Sequence, residues 1–246
     1  MGGAFGQWGR RRGRGGALLA LVALSGTACV APPATPLVVP EVEEVDELEV
    51  PTPAALGVLR KAQEVTVRIR SLGCEHLGLG SGFVLPGGRV VTNRHVLSQP
   101  LQVTVNTWDG LSLEADVEGV AVDSDLAVLQ LVDTDELPVA ELRRAPVEQG
   151  ETVYAVGYPG GGPATVAAGA VLALVDGTLL GEPADVIRVD AKIEQGNSGG
   201  PLMDEDGLVV GVVFALETNA GTGLAVPVQT LIERLDDAVL SPPEGC

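Results

Sequence analysis

Residues that build metal centres and nucleic-acid surfaces are scarce in this chain. Two histidines and three cysteines in 246 residues leave little for a His/Cys metal site, so neither a metal nor any other cofactor is expected. Basic side chains are few. Lys and Arg number 15 against 33 Asp and Glu, a formal net charge of −18. Such a surface repels phosphate backbones and excludes nucleic acid as a partner. Long hydrophobic runs are missing too: the longest near the amino terminus, Ala17–Leu24, ends at Ser25-Gly26-Thr27 and falls short of the ~20 residues a membrane helix needs. A multi-span membrane protein is excluded. Aromatic residues make up only 3%, so a core has to be filled by β-branched and small side chains, which favours strands.

An apolar fraction of 46% is enough for a sizeable core and excludes disorder of the whole. At the front, Arg10, Arg11, Arg12 and Arg14 precede Ala17–Leu24, and small residues lead to Cys29. This order reads as an export signal over residues 1–28. Small residues before Cys29 also match the lipobox of bacterial lipoproteins, although Gly26 stands where that motif usually has an aliphatic residue. Lipidation at Cys29, plain secretion and an uncleaved anchor are the three readings, and membrane contact is expected only through such a lipid anchor. Residues 29–53 hold prolines at 32, 33, 36, 40, 51 and 53 and acids at 41, 43, 44, 46, 47 and 49. Proline forbids regular ladders and like charges repel, which makes this an extended tether.

From residue 54 to 246 short β-patterned runs alternate with turn residues at roughly ten-residue spacing, the pattern of a sandwich or barrel. Candidate strands are 65–70, 102–105, 126–131, 152–156, 166–175, 186–189 and 208–214, and Val90–Val96 reads as a strand that ends in a short turn. Helices are expected over 54–63 and 228–239; in the latter Leu231, Ile232, Leu235 and Val239 share one face. No PDZ-type module is expected after residue 240.

The strongest chemical signal is Gly196-Asn197-Ser198-Gly199-Gly200-Pro201-Leu202. A nucleophilic serine needs a tight turn that exposes its oxygen, and flanking glycines let a carbonyl approach the backbone amides. The α/β-hydrolase elbow would require a histidine after the serine, and none follows Ser198. A subtilisin-like order needs an aspartate before the histidine, and upstream of His95 only Asp46, in the tether, is available. The order His95, Asp125, Ser198 remains.

Thr92-Asn93-Arg94-His95-Val96, Asp125-Leu126-Ala127-Val128-Leu129 and the Ser198 segment together resemble the trypsin-like (chymotrypsin-fold) serine proteases, notably their bacterial high-temperature-requirement branch. Arg68–Leu72 with Cys74, Gly80–Val84, Gly157–Gly162, Glu194–Gly196 and Gly211–Phe214 further resemble the actinobacterial periplasmic acid-resistance serine proteases, without their multi-helix membrane domain. The resemblance implies an all-β fold of two six-stranded antiparallel Greek-key barrels, about 54–145 and 146–246, with a C-terminal helix. It implies that Ser198 attacks the peptide carbonyl, His95 is the general base, Asp125 orients His95, and the amides of Gly196 and Ser198 form the oxyanion hole. It further implies substrate pairing along Val213-Phe214-Ala215, a primary pocket near Gly223-Leu224-Ala225 with Lys192 at its base, and a disulfide between Cys74 and Cys246. Protein or peptide substrates follow, cut after apolar or small residues, in the cell envelope, the periplasm or outside the cell. Asn197 replaces an aspartate that pairs with a new amino terminus in digestive members, so activation by that ion pair is not expected. Asp123 is the rival acid, expected to cap its turn. His76 is expected at the surface, and Gly157–Gly162 in a turn and not a phosphate cradle, for which the Lys-Ser/Thr and the following helix are missing. A protease-fold binding or sensor protein with a closed site, and an esterase on the same fold, are the alternatives.

Overall fold

The computed structural model describes residues 53–97, 99–132, 137–177, 185–217, 221–236 and 240–242. The expected signal, Cys29 and the tether up to residue 52 lie outside the described residues. Among the described residues no helix is long and apolar enough to cross a membrane.

Helix α1 (Pro53–Val65) opens on a proline, whose missing N–H costs nothing in a first turn. Its buried face is Val58, Ala62 and Val65, spaced by four and three residues. It stops where the β-branched run Thr66-Val67-Arg68-Ile69 begins. Strands β1 (Thr66–Gly73), β2 (Leu77–Leu85), β3 (Arg89–Asn93), β4 (Pro100–Asn106), β5 (Ser112–Ala121) and β6 (Leu126–Leu131) form a closed barrel in the order β1-β2-β3-β6-β5-β4. Strands β7 (Thr152–Gly157), β8 (Thr165–Val175), β9 (Val186–Val189), β10 (Pro201–Met203), β11 (Val209–Glu217) and β12 (Thr222–Pro227) close a second, in the order β10-β11-β12-β9-β8-β7. All pairings between these twelve strands are antiparallel, as the two-barrel expectation requires. Helix α2 (Arg94–Leu97) is a single turn after β3, and α3 (Val228–Asp236) follows β12. Residues 237–239, the expected end of α3, lie outside the described residues.

Alternation along single strands builds three cores at once. Val84, Val90 and Ile69 fill the first barrel, and Val153, Ile187 and Val213 fill the second. Their sequence neighbours Phe83, Leu85, Val91 and Val212 face the other way, into a third core between the barrels, where Met203, Val228, Leu231 and the buried face of α1 join them. The segment between the barrels is tied down by Arg143. Its guanidinium pairs with both oxygens of Glu151, at 3.0 Å for Nη2 to Oε2, and with Asp204 Oδ2 at 3.2 Å. The bonds to Arg143 hold the Glu151 carboxyl below its ordinary range and raise the guanidinium.

Candidate active site

Antiparallel register brings the first two expected residues together. Asn93 at the end of β3 pairs with Leu126 at the start of β6, so His95, two residues beyond Asn93, meets Asp125, one residue before Leu126. Asp125 follows the 3₁₀ turn Val122–Ser124 and has φ +51°, a left-handed conformation that a short polar residue tolerates best. Four hydrogen bonds hold it there. Its carbonyl accepts from Arg94 N at 2.9 Å and from Asn93 Nδ2 at 3.1 Å. Its Oδ1 accepts from His95 N at 3.1 Å, and its Oδ2 lies 2.6 Å from His95 Nδ1. An ionised carboxylate only accepts, so Nδ1 carries the proton of the neutral imidazole and Nε2 keeps its lone pair. The imidazole side chain is 46% exposed, whereas the Asp125 carboxylate is 18% exposed.

Ser198 lies in the loop that leads into β10, and this loop is stitched to the first barrel. Its carbonyl accepts from Ser81 N of β2 at 2.8 Å. A Cβ on Gly199 would stand 2.3 Å from Thr92 Oγ1 and 3.1 Å from Asn93 N, so the residue after Ser198 is pressed against the strand that leads into His95. Ser198 Oγ donates to Phe214 O at 3.3 Å.

The two expected oxyanion donors are oriented through their own peptide planes. A trans peptide points its N–H and C=O in opposite directions. Gln195 O accepts from Gly160 N at 2.8 Å, which turns Gly196 N–H the other way; Asn197 O accepts from Gly200 N at 2.9 Å, which does the same for Ser198 N–H. Gly196 has φ +104°, and a Cβ there would lie 2.5 Å from Tyr158 O, so only glycine fits.

Val213 uses both backbone groups inside the protein, donating to Gly200 O at 2.9 Å and accepting from Gly199 N at 2.7 Å. Of the three expected substrate-pairing residues, Val213 therefore has neither backbone group left for an added strand, and Phe214 O accepts from Ser198 Oγ. Phe214 is the bulged residue of β11, between the Val213–Ala225 and Ala215–Leu224 pairs. Lys192 is not at a pocket base. Its side chain is 81% exposed and pairs with Glu194 at 3.0 Å, because an ammonium is costly to bury unpaired. Ile193 turns inward instead, against Gly223, where a Cβ would approach it to 2.4 Å. The sequence carries the signal for this: one apolar residue amid the charged run Lys192-Ile193-Glu194.

Asp123 does not cap its turn, which has no side-chain cap. It pairs instead with Arg234 of α3 at 2.8 Å. His76 is exposed, as expected. Gly157–Gly162 carries the 3₁₀ turn Pro159–Gly161, as a turn was expected, and it holds Gln195 O as described. Cys74, after β1, is disulfide-bonded, and Cys29 and Cys246 both lie outside the described residues. Asn197 is buried with its Oδ1 unpartnered. Among the described residues no group of three or more His, Cys, Asp or Glu side chains could hold a metal ion.

Two packed six-stranded barrels with histidine, aspartate and serine at their junction define the chymotrypsin-like class of double-barrel proteins. The profile described as a trypsin-like peptidase domain matches residues 80–212, and the chain belongs to that family. The putative serine protease HhoB of Synechocystis sp. is 40% identical over 160 residues, 62% of this chain and 38% of its own length. Serine protease Rv3671c of Mycobacterium tuberculosis is 33% identical over 207 residues, 79% of this chain and 52% of its own. The chain thus spans about a third to a half of the length of the curated relatives it matches. Among solved structures, the active form of the Rv3671c protease matches with a TM-score of 0.68 at 33% identity, covering 79% of this chain and 90% of that one. The HtrA-type protease AlgW with tripeptide matches with a TM-score of 0.70 at 29% identity, covering 75% and 63%.

Proposed function

We propose that the protein is an exported serine endopeptidase that hydrolyses peptide bonds through an acyl-enzyme. The observation that carries this is the double engagement of Asp125 by His95, through N and Nδ1, which puts the imidazole proton on Nδ1 and makes Nε2 the basic nitrogen. His95 Nε2 takes the proton of Ser198 Oγ as that oxygen attacks the peptide carbonyl, and the oxyanion meets Gly196 N–H and Ser198 N–H. The imidazolium, held by Asp125, then gives the proton to the leaving amine. Water repeats the sequence on the acyl group and frees the carboxylate product. Both donor N–H groups point away from the amides that hold their peptide carbonyls, Gly160 N and Gly200 N, which favours a catalytic hole over the closed-site sensor reading. Phe214 and Ala215 of β11 receive the substrate backbone as an added strand, and buried Ile193 beside Gly223 favours an apolar or small residue before the cut. Residues 1–28 are the export signal, Cys29 is the lipid-anchored residue at the head of the tether, and Cys246 is the disulfide partner of Cys74.

A fluorophosphonate probe and a set of peptide amides and esters test the chemistry. The folded protein should take one label, lost in Ser198→Ala, and should cleave amides at internal bonds. Absence of labelling would overturn the reading, and cleavage of esters alone would replace it with an esterase.

A further inference from the structure

The loop that carries the nucleophile has a complete set of carbonyl partners. From Glu194 to Ser198 every carbonyl oxygen accepts one hydrogen bond: from Asn197 N at 3.0 Å, Gly160 N at 2.8 Å, Ser81 Oγ at 2.7 Å, Gly200 N at 2.9 Å and Ser81 N at 2.8 Å, in that order. Two of the five donors belong to Ser81, a residue of the other barrel. Ser81 is fully buried, and its hydroxyl has a second task, accepting from Tyr158 N at 2.9 Å. Tyr158 begins the turn whose Gly160 N holds Gln195 O. Every link from outside the loop to the five carbonyls therefore passes through Ser81 or through a turn that Ser81 anchors. Ser81 is itself fixed to β3, because its carbonyl accepts from Thr92 Oγ1 at 2.7 Å.

Resting on the protease reading above, we infer that Ser81 is a positioning residue for the oxyanion hole. Its hydroxyl couples the Gly196–Asn197 peptide to the Tyr158–Gly162 turn and so keeps Gly196 N–H turned away from Gly160. It touches neither substrate nor the reacting atoms. Without it the Gly196 carbonyl and the Tyr158 amide lose their shared partner, and the Gln195–Gly196 peptide is free to rotate and withdraw its N–H. Arg68 and the Tyr158 hydroxyl steady the far side of the turn, through Gly161 O at 2.8 Å and Thr66 O at 3.2 Å, but neither reaches the nucleophile loop.

The test is Ser81→Ala in the full chain, read by kcat, by KM, by inhibition with a peptidyl boronic acid and by inhibition with a cleaved peptide product. The boronate forms a tetrahedral adduct that uses the oxyanion hole; the product does not. Removing an oxyanion donor outright costs ~10²–10³ in rate, so loosening one should lower kcat and boronate affinity together by about 10- to 100-fold, with KM and product affinity within about 2-fold. Ser81→Cys keeps the shape with a weaker donor and should show the same pattern at smaller size, and it decides the matter if the alanine variant does not fold. A kcat within about 2-fold of wild type, or boronate and product affinities falling in parallel, would overturn the inference. A wild type that takes no fluorophosphonate label overturns the protease reading and the inference with it. A labelled, active wild type matched by Ser81→Ala overturns the inference alone.

Discussion

Replacing Asp125 with asparagine changes almost no volume and reverses one hydrogen bond. In the native site His95 N donates to Asp125 Oδ1 at 3.1 Å, and Arg94 Nε stands 3.9 Å from the same oxygen. Asparagine keeps its oxygen on that side, since a backbone N–H cannot turn acceptor, and its NH₂ then faces His95 Nδ1, where Oδ2 lay at 2.6 Å. Two donors cannot share a bond. The imidazole must move its proton to Nε2, and the base that should receive the serine proton is lost. The lost charge-assisted bond is worth about 1.5–3 kcal/mol, and reaching the productive tautomer against an opposing N–H adds a penalty of about 2–3 kcal/mol. At 1.36 kcal/mol per decade the sum lowers kcat by roughly 10³–10⁴. The assay is hydrolysis of a chromogenic peptide amide at neutral pH, with circular dichroism to confirm the fold. Asp123→Asn is the matched control, because Asp123 pairs with Arg234 at 2.8 Å away from the imidazole, and it should leave kcat unchanged. An Asp125→Asn enzyme within about 10-fold of wild type would refute the argument that Asp125 sets the tautomer.

Glu151→Gln should cost about 1–2 kcal/mol at neutral pH, read as a lower urea midpoint, because Arg143 keeps only Asp204 as a charged partner. Since the folded Glu151 carboxyl sits below its ordinary value of 4.5, its contribution is complete above that pH and fades as pH falls through the folded value. The gap between variant and wild type should therefore narrow in acid, and a gap that stays constant down to about pH 2 would contradict the pairing. Gly199→Ala should destabilise by about 3 kcal/mol or more, since its φ is +86° and a Cβ would lie 2.2 Å from Ser81 O and 2.3 Å from Thr92 Oγ1. Gly160→Ala, at φ +60° with nothing within 4 Å, should cost only about 1 kcal/mol; equal losses in the two variants would show that crowding is not what decides.

Local chemistry was enough to nominate His95, Asp125 and Ser198 as a candidate triad and to read most strands from the chain. Leu126–Leu131 and Val186–Val189 have the bounds their β-branched and leucine runs predict, because apolar residues confined to short runs between turn residues have few other structures open to them. Strand β2 was not legible. Its Gly78, Gly80 and Gly82 are poor strand formers, and they are required by neighbours distant in sequence: a Cβ on Gly80 would meet Val96 and stand 3.0 Å from Ser198 O. The three residues of β10 are too short to show a period, and Asp123 and Lys192 took partners, Arg234 and Glu194, that no rule of spacing identifies.

Residue order and motif resemblance thus determined which side chains are candidates for nucleophile, base and acid, since such residues stand out by type and by their turns. Only the tertiary structure decided how they are held. The partners of the nucleophile loop come from Ser81, 117 residues before Ser198 in the chain, and from Gly160 in a separate turn, both brought near by closure and packing of the barrels. A hydrogen bond fixes direction as well as distance, and the direction of a peptide plane is settled only when every element around it is in place.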